Sequence, residues 1–384
     1  MAKWLVSLIV FFHYSVSGQQ YDLNSYVLQH AKEIDSSSPV YGGLNFLDTI
    51  LQNKRIVLLG ESSHGTEEYS QVKLQLIRYL HEKLGYNVIL FESPMLPCTY
   101  VDLAPDSIAS SQLVVNTLQL WHTNTVSSLF DYIRAEKIGF AGFDPQFIPS
   151  PCSQKVISAL FENEPAIKET WLALEQMISA AFRHPGEYLS RKKEFATRYA
   201  QLNEQLGQIN LSPAQQWMRQ ITAISAGYYR NIAKGEQRDR DMAKNIQWLA
   251  DSLYPNEKII IWAHNTHIDK MSATRKKEMG VLLDIQFGEQ LFAIGLYMAN
   301  GKTALNNREV ITVKQPLEGS IEETLLKTGL KKAFIETKDP VFDKLVPTWH
   351  WGKDRQYLRL SQSFDAVILV NGVRPPDYIM IATK

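Results

Sequence analysis

The feature that most limits what this chain can fold into is a strand, a helix and a second strand joined by short connections. The strand Arg55–Leu59 carries an apolar run from Ile56 that stops at Gly60, and 67–84 carries Val72, Leu74, Leu76, Ile77, Leu80 and Leu84 at helical spacing. Gly85 closes the helix, and Tyr86–Phe91 is a second apolar strand ending at Glu92. Strands linked through a helix run parallel, and these two read as neighbours in one sheet. A parallel sheet needs helices on both faces, so the expected class is α/β.

The same grammar recurs. KIGFAGF at 137–143 precedes Asp144, and KIIIWA at 258–263 precedes His264, while 292–297 and 366–370 are further apolar strands. Between about 155 and 252 this pattern gives way to long amphipathic stretches, at 155–161, 169–182, 192–206, 213–232 and 239–253. These read as a large helical insertion packed over or beside the sheet. Residues 24–53 read as helical, 302–320 as irregular or a hairpin, and 339–356 as an aromatic loop. The expectation is a single α/β domain over 22–384, with a mostly parallel central sheet flanked by helices.

At 384 residues and 45% hydrophobic content the chain can bury a deep core. Forty basic and forty acidic residues cancel, leaving no basic footprint of the kind nucleic acid requires. The N-terminus, MAKWLVSLIVFFHYSVSG, has Lys3, an apolar run from Trp4 to Phe12, then Ser15, Ser17 and Gly18. That is the layout of a secretory signal over residues 1–18, and it implies a periplasmic or secreted protein. The apolar run is too short to span a bilayer and no other segment is long enough, so no stable membrane insertion is expected once the signal is removed. Cys98 and Cys152 have no metal-ligand spacing; in an oxidising compartment they either pair or stay as separate buried thiols.

In open α/β sheets, ligands bind beyond the carboxyl ends of the strands. Glu61, Glu92, Asp144 and His264 each follow such a strand, which argues for one shared pocket. In GESSHG, at 60–65, Glu61 and His64 are three residues apart; a carboxylate there fixes the imidazole tautomer and raises its basicity. Gly60 and Gly65 allow a sharp turn and close approach to a ligand. His264 and His267 read either as zinc ligands or as a metal-free acid–base pair. No third ligand is evident nearby and no His-Glu-x-x-His helix is present, so the second reading is preferred. Arg238 opens an amphipathic helix, as a solvated helix start or as a clamp on a substrate oxygen or a carboxylate. Lys73 and Glu68, on the helix after the turn, are candidates to line the pocket. Trp121, His122, Trp349, His350 and Trp351 are pocket wall or core. No Gly-x-Ser-x-Gly elbow or phosphate-binding glycine loop occurs. Ser62 and Ser63 flank His64 in a turn where neighbours rarely face each other, which argues against a serine nucleophile.

Taken together, the motifs resemble the erythromycin esterase family. The carriers are Gly60-Glu61-Ser62-Ser63-His64-Gly65, Lys73, Phe91-Glu92, Gly142-Phe143-Asp144, Arg238-Asp239 with Met242-Ala243, and Trp262-Ala263-His264-Asn265-Thr266-His267. They occur in the family's order from about residue 45 to the last strand. The chain departs from the pattern after Trp121, where a glutamate a few residues on is common and His122-Thr123-Asn124-Thr125-Val126 stands instead. The resemblance implies a metal-independent, cofactor-free hydrolase that opens an ester or macrolide lactone with water. By carry-over, His64 is the general base, and Glu61 and Glu92 orient it or the water. His264 assists the base or polarises the carbonyl, and Lys73 or Arg238 stabilises charge. His267, Asp144, Glu68 and Trp121 complete the expected substrate rim. Two other readings remain open: a ligand-binding protein that keeps the pocket without turnover, and a metal-dependent hydrolase built on His64 and His264.

Overall fold

The computed structural model describes residues 22–35, 41, 43–232, 237–271 and 278–380; the expected signal at 1–18 lies outside them. Twelve strands are present among these residues. They are β1 (Lys32–Glu33), β2 (Ile56–Leu59), β3 (Tyr86–Pro94), β4 (Gly139–Asp144), β5 (Lys258–Trp262), β6 (Leu291–Met298), β7 (Lys302–Ala304), β8 (Val310–Thr312), β9 (Lys332–Glu336), β10 (Val346–His350), β11 (Asp354–Leu358) and β12 (Ala366–Val370).

Eight of them form one sheet in the order β1-β9-β12-β6-β2-β5-β3-β4. The six from β12 to β4 pair in parallel, while β9 and β1 add an antiparallel edge. β2 and β12 are buried at every residue, as strands covered on both faces must be. The fold is therefore α/β, with a large, mostly parallel sheet flanked by helices.

The expectation that β2 and β3 are neighbours is corrected: they are parallel, but β5 lies between them and pairs with both. The crossover helix Glu67–Leu84 steps over one strand position, and a segment some two hundred residues later fills the gap. Consequently β2, β5, β3 and β4 are consecutive in the sheet, and their carboxyl ends present Glu61, His264, Glu92 and Asp144 side by side.

Between β4 and β5 the described chain is helical: Pro151–Leu160, Pro165–Phe182, Pro185–Ser190, Lys192–Leu206, Pro213–Asn231 and Gln237–Trp248, the last running into a short π-helical turn, Leu249–Leu253. Prolines at the first helical turn open four of these, where a missing N–H costs nothing.

Expectations change at 24–53 and 339–356, while 302–320 takes the hairpin that is one of its two readings. The single helix at 24–53 is interrupted: Leu23–His30 ends at an extended Ala31, and only Leu47–Leu51 resumes after Gly43 in the left-handed region. The stretch 302–320 contains the β7–β8 hairpin, and the aromatic loop at 339–356 is largely the β10–β11 hairpin. Cys98 and Cys152 are both buried, unpaired thiols.

Candidate active site

The turn after β2 is held rigidly before any side chain is considered. Gly60 N–H donates to Ile294 O (2.8 Å), Ser62 N–H to Leu296 O (3.0 Å), and Asn265 N–H to Glu61 O (2.8 Å). Trp351 N–H reaches in from the β10–β11 turn to Ser62 O at 2.9 Å, and Ala304 N–H donates to Gly65 O at 2.8 Å. The Asn265 amide bridges the same rim, donating to Leu296 O and accepting from Leu296 N–H at 2.9 and 3.2 Å.

The two glycines serve this packing. A Cβ on Gly60 would sit 2.1 Å from Asn265 Oδ1, and one on Gly65 would sit 2.1 Å from the Ala304 carbonyl oxygen. Backbone cannot yield as a side-chain tip can. Gly65→Ala is therefore expected to destabilise the fold by about 1–3 kcal/mol, as overpacking of this kind does. Chemical denaturation checks it; an unchanged midpoint would mean the turn and β7 are not locked together.

Within this frame Glu61 and His64 meet. Glu61 Oε1 lies 2.7 Å from His64 Nδ1, and Lys73 Nζ donates to Oε2 at 2.8 Å. A carboxylate held by an ammonium is ionised and only accepts, so the His64 proton sits on Nδ1 and its Nε2 lone pair is free. Lys73 is fully buried, with its ammonium 4.4 Å from the Trp262 ring centroid. Burial lowers its pKa from 10.5 to about 8, against the pull of Glu61. The His64 ring sits among Trp121, Trp351 and His264, at centroid distances of 5.0, 5.2 and 4.9 Å.

His264, after β5, is a different kind of histidine. It N-caps the short helix Asn265–Ile268, and its Nδ1 accepts from Thr266 N–H at 3.2 Å. An accepting Nδ1 leaves the proton on Nε2, and that atom is buried with no partner among the described residues. Burial, then the nearby His64 and His350, push its pKa well below 6.5, so the ring is neutral. Its backbone N–H donates to Glu92 Oε2 at 2.8 Å, and Trp351 stacks on the ring at 4.8 Å.

Glu92 lies inside β3, not beyond it: the strand continues to Pro94 through a register irregularity after Phe91 that re-aims the side chain. Its Oε1 accepts from Arg238 Nη2 at 2.8 Å and lies 3.3 Å from His267 Nε2. Arg238 also forks onto Asp144, with Nη2 2.6 Å from Oδ2 and Nε 3.2 Å from both oxygens. His267 Nδ1 lies 2.7 Å from Asp239 Oδ1. Burial would raise Glu92, but His267, Arg238 and His64 hold it well below the ordinary 4.5. Burial would lower His267, but Glu92 and Asp239 outweigh it and lift it to about 10. Glu92 and Asp144 face the guanidinium and Asp239 faces His267, so with three carboxylates around one guanidinium a second positive charge on His267 is favoured. The 3.1 Å approach of Arg238 Nη1 to His267 Nε2 is then a contact between two donors, offset by Glu92 Oε1, which lies 2.8 Å from Arg238 Nη2 and 3.3 Å from His267 Nε2.

These shifts give stability a pH signature. A depressed carboxylate stabilises the fold above its ordinary pKa of 4.5 and loses that contribution as pH falls toward its folded value. A raised histidine stabilises fully below 6.5 and loses the contribution as pH rises from there toward about 10. The combined contribution of Glu92 and His267 is therefore expected to plateau between about 4.5 and 6.5 and to decline on both sides. His267→Asn should flatten the alkaline limb in denaturation series, whereas a limb of unchanged slope would contradict the charged assignment.

The side chains expected at this rim mostly converge. Glu61, His64, Lys73, Glu92, Asp144, Arg238, His264 and His267 form one connected cluster, and Trp121 packs edge-on against His64 while its Nε1–H donates to the Glu92 carbonyl at 3.2 Å. Glu68 does not join it; its Oε2 accepts from Arg374 N–H at 2.8 Å instead. Lys73 and Asp144 are fully buried and engage protein groups, so they act through Glu61 and Arg238. Ser62 Oγ is bonded to Tyr69 and Ser63 Oγ to Thr303, away from His64. Exposure rises from 9% at His64 to 14% at His267 and 24% at Arg238, so access is narrow and not sealed. Asp239, which the sequence offers only as part of the Arg238-Asp239 helix start, pairs with His267, and Trp351, expected as pocket wall or core, stacks on His264. Among the described residues no group of three or more His, Cys, Asp or Glu is arranged to hold a metal ion.

The erythromycin esterase family model matches residues 81–373, which include Glu92, Asp144, Arg238, His264 and His267 and begin after the Glu61–His64 turn. The chain is 28% identical to YbfO of Bacillus subtilis (strain 168), a protein named only provisionally as a hydrolase, over 97% of this chain and 96% of that one. It is 20% identical to erythromycin esterase type II of Escherichia coli, over 77% and 83%. A mutant of erythromycin esterase EreC in its open conformation superposes with a TM-score of 0.69 at 17% identity, covering 91% of this chain and all (100%) of that one.

Proposed function

The chain belongs to the erythromycin esterase family, a family of hydrolases, and from that premise we propose that it cleaves a carboxylic ester or lactone with a water activated by His64. The observation that carries this reading is the pairing of two unlike imidazoles 4.9 Å apart. Glu61, itself held by Lys73, fixes the His64 proton on Nδ1 and leaves the Nε2 lone pair open, and His264 is neutral with an unused Nε2–H. His64 Nε2 takes a proton from water, and the water oxygen bonds to the acyl carbon. The carbonyl oxygen gains charge and receives the His264 Nε2–H. When the tetrahedral centre collapses, the acyl–oxygen bond breaks and His64 returns the proton to the leaving alkoxide. A neutral donor already in place for the oxyanion needs no reorganisation as charge develops.

These steps need no metal, and each of the three rings already has at least one nitrogen engaged by protein: His64 Nδ1 by Glu61, His264 Nδ1 by Thr266, and His267 by Asp239 and Glu92. Macrolide lactones belong in the substrate panel because relatives are named erythromycin esterases. The test is hydrolysis of aryl esters, simple lactones and macrolides by native protein with and without EDTA. Turnover insensitive to chelation supports the reading. Loss on chelation favours a metal hydrolase, and binding without turnover favours a ligand-binding protein. We further propose that residues 1–18 are removed on export; the N-terminal mass of protein recovered outside the cytoplasm tests this.

A further inference from the structure

The proposed reaction gives no role to His350, whose ring borders His264. His350 ends β10, and its ring stands edge-on to His264, with centroids 5.1 Å apart and planes at 87°. With His64 4.9 Å from His264, three imidazoles from three distant segments form an unbroken row. His350 Nδ1 is buried and, like His264 Nε2, has no partner among the described residues. Most buried polar atoms are bonded, so two adjacent rings that both leave a nitrogen unused call for an explanation.

The surrounding structure shows that this placement is fixed. Trp351 and Gly352 adopt φ of 55° and 65°, consecutive left-handed residues that turn the β10–β11 hairpin tightly. A tryptophan in that region is uncommon, and here it lets Trp351 stack on His264 while its N–H holds Ser62. Behind it, the buried Glu322 carboxylate accepts from the Trp349 N–H at 3.1 Å and from Thr348 Oγ1. Trp349 Nε1–H donates to Gln315 O at 2.8 Å. The hairpin is thus pinned at Thr348, Trp349 and Trp351, and the ring between these anchors is left free at Nδ1.

We propose that His350 is a second catalytic donor, its Nδ1 hydrogen-bonding the acyl oxygen of the substrate alongside His264 Nε2. This rests on the hydrolase reading above and extends it: the oxyanion site consists of two imidazoles, one from the end of β5 and one from the end of β10. Burial, with His64 nearby, keeps His350 below 6.5, so it serves as a neutral donor. A planar acyl oxygen offers two lone pairs, which suits two donors from perpendicular rings.

The experiment compares native protein, His350→Ala, His350→Asn and His350→Gln in ester turnover and in binding of a phosphonate analogue of the tetrahedral centre. Asparagine restores a donor near the Nδ1 position; glutamine places its amide nearer Nε2. His350→Ala is expected to lower kcat on the order of 100-fold, as loss of one oxyanion donor does, with KM changed far less. His350→Asn should recover at least tenfold of this, and His350→Gln less. Phosphonate affinity should follow kcat across the series. The proposal is overturned if His350→Ala keeps native kcat and native phosphonate affinity, or if asparagine and glutamine behave like alanine. Native protein that binds the phosphonate but turns over no ester sinks the hydrolase reading alone, and His350-dependent binding then upholds the site. Native protein that does neither overturns both.

Discussion

His64→Asn is expected to lower kcat/KM for any ester this protein turns over by roughly 10³-fold, with the fold intact. The reasoning starts from the atoms His64 contacts. Its Nδ1 bonds to Glu61 and its remaining contacts are aromatic edges, so removing the ring deletes the free Nε2 and little packing. Asparagine keeps an amide opposite Glu61, so Glu61 and Lys73 stay satisfied. Stopped-flow or steady-state kinetics, with circular dichroism as the fold control, measures the effect. A loss of less than about tenfold would mean that another group takes the proton.

The largest effect on stability is expected at Arg238. Its guanidinium is the cation that meets both Asp144 and Glu92, whose side chains are 0% and 3% exposed. Arg238→Ala leaves these charges buried without it, and breaking a buried pair this way costs about 3–5 kcal/mol. His267, 3.3 Å from Glu92, then remains as its charged partner among the described residues. Arg238→Met with Asp144→Asn, which removes one charge of each sign, should recover part of that loss, since neutral isosteres avoid the desolvation penalty. Urea denaturation of the single and double variants distinguishes the outcomes. If Arg238→Ala is as stable as native protein, the guanidinium is a surface charge and the clamp has been misread.

Much of this was legible before any coordinates. The run of apolar segments each ending in Glu, Asp or His located the candidate site, because parallel strands place their carboxyl ends on one side of the sheet. The order of strands was not legible. Nothing in residues 55–91 signals that β5 enters between β2 and β3, since a crossover that skips a strand has the same local sequence as one that does not. That insertion sets His264 between Glu61 and Glu92, so it determines the chemistry. The interruption of the first helical stretch, by contrast, was announced by Pro39, Gly42 and Gly43. The β10–β11 hairpin escaped because Pro347 and the pair Trp351-Gly352 mask a short strand and its turn, where Asn-Gly would have advertised one. The division of labour among the histidines was the least legible of all. Each role depends on a partner distant in the chain or on burial: Lys73 behind Glu61, Asp239 beside His267, and Trp351 over His264.

The central claim is that one pocket holds three histidines in three distinct proton states. ¹⁵N NMR of the imidazole rings at pH 7, assigned through single histidine substitutions, tests it most directly. The account expects His264 neutral with its proton on Nε2, His64 with a proton on Nδ1 bonded to Glu61, and His267 carrying both protons between Asp239 and Glu92. A spectrum in which His264 is the charged ring and His267 the neutral one would contradict it.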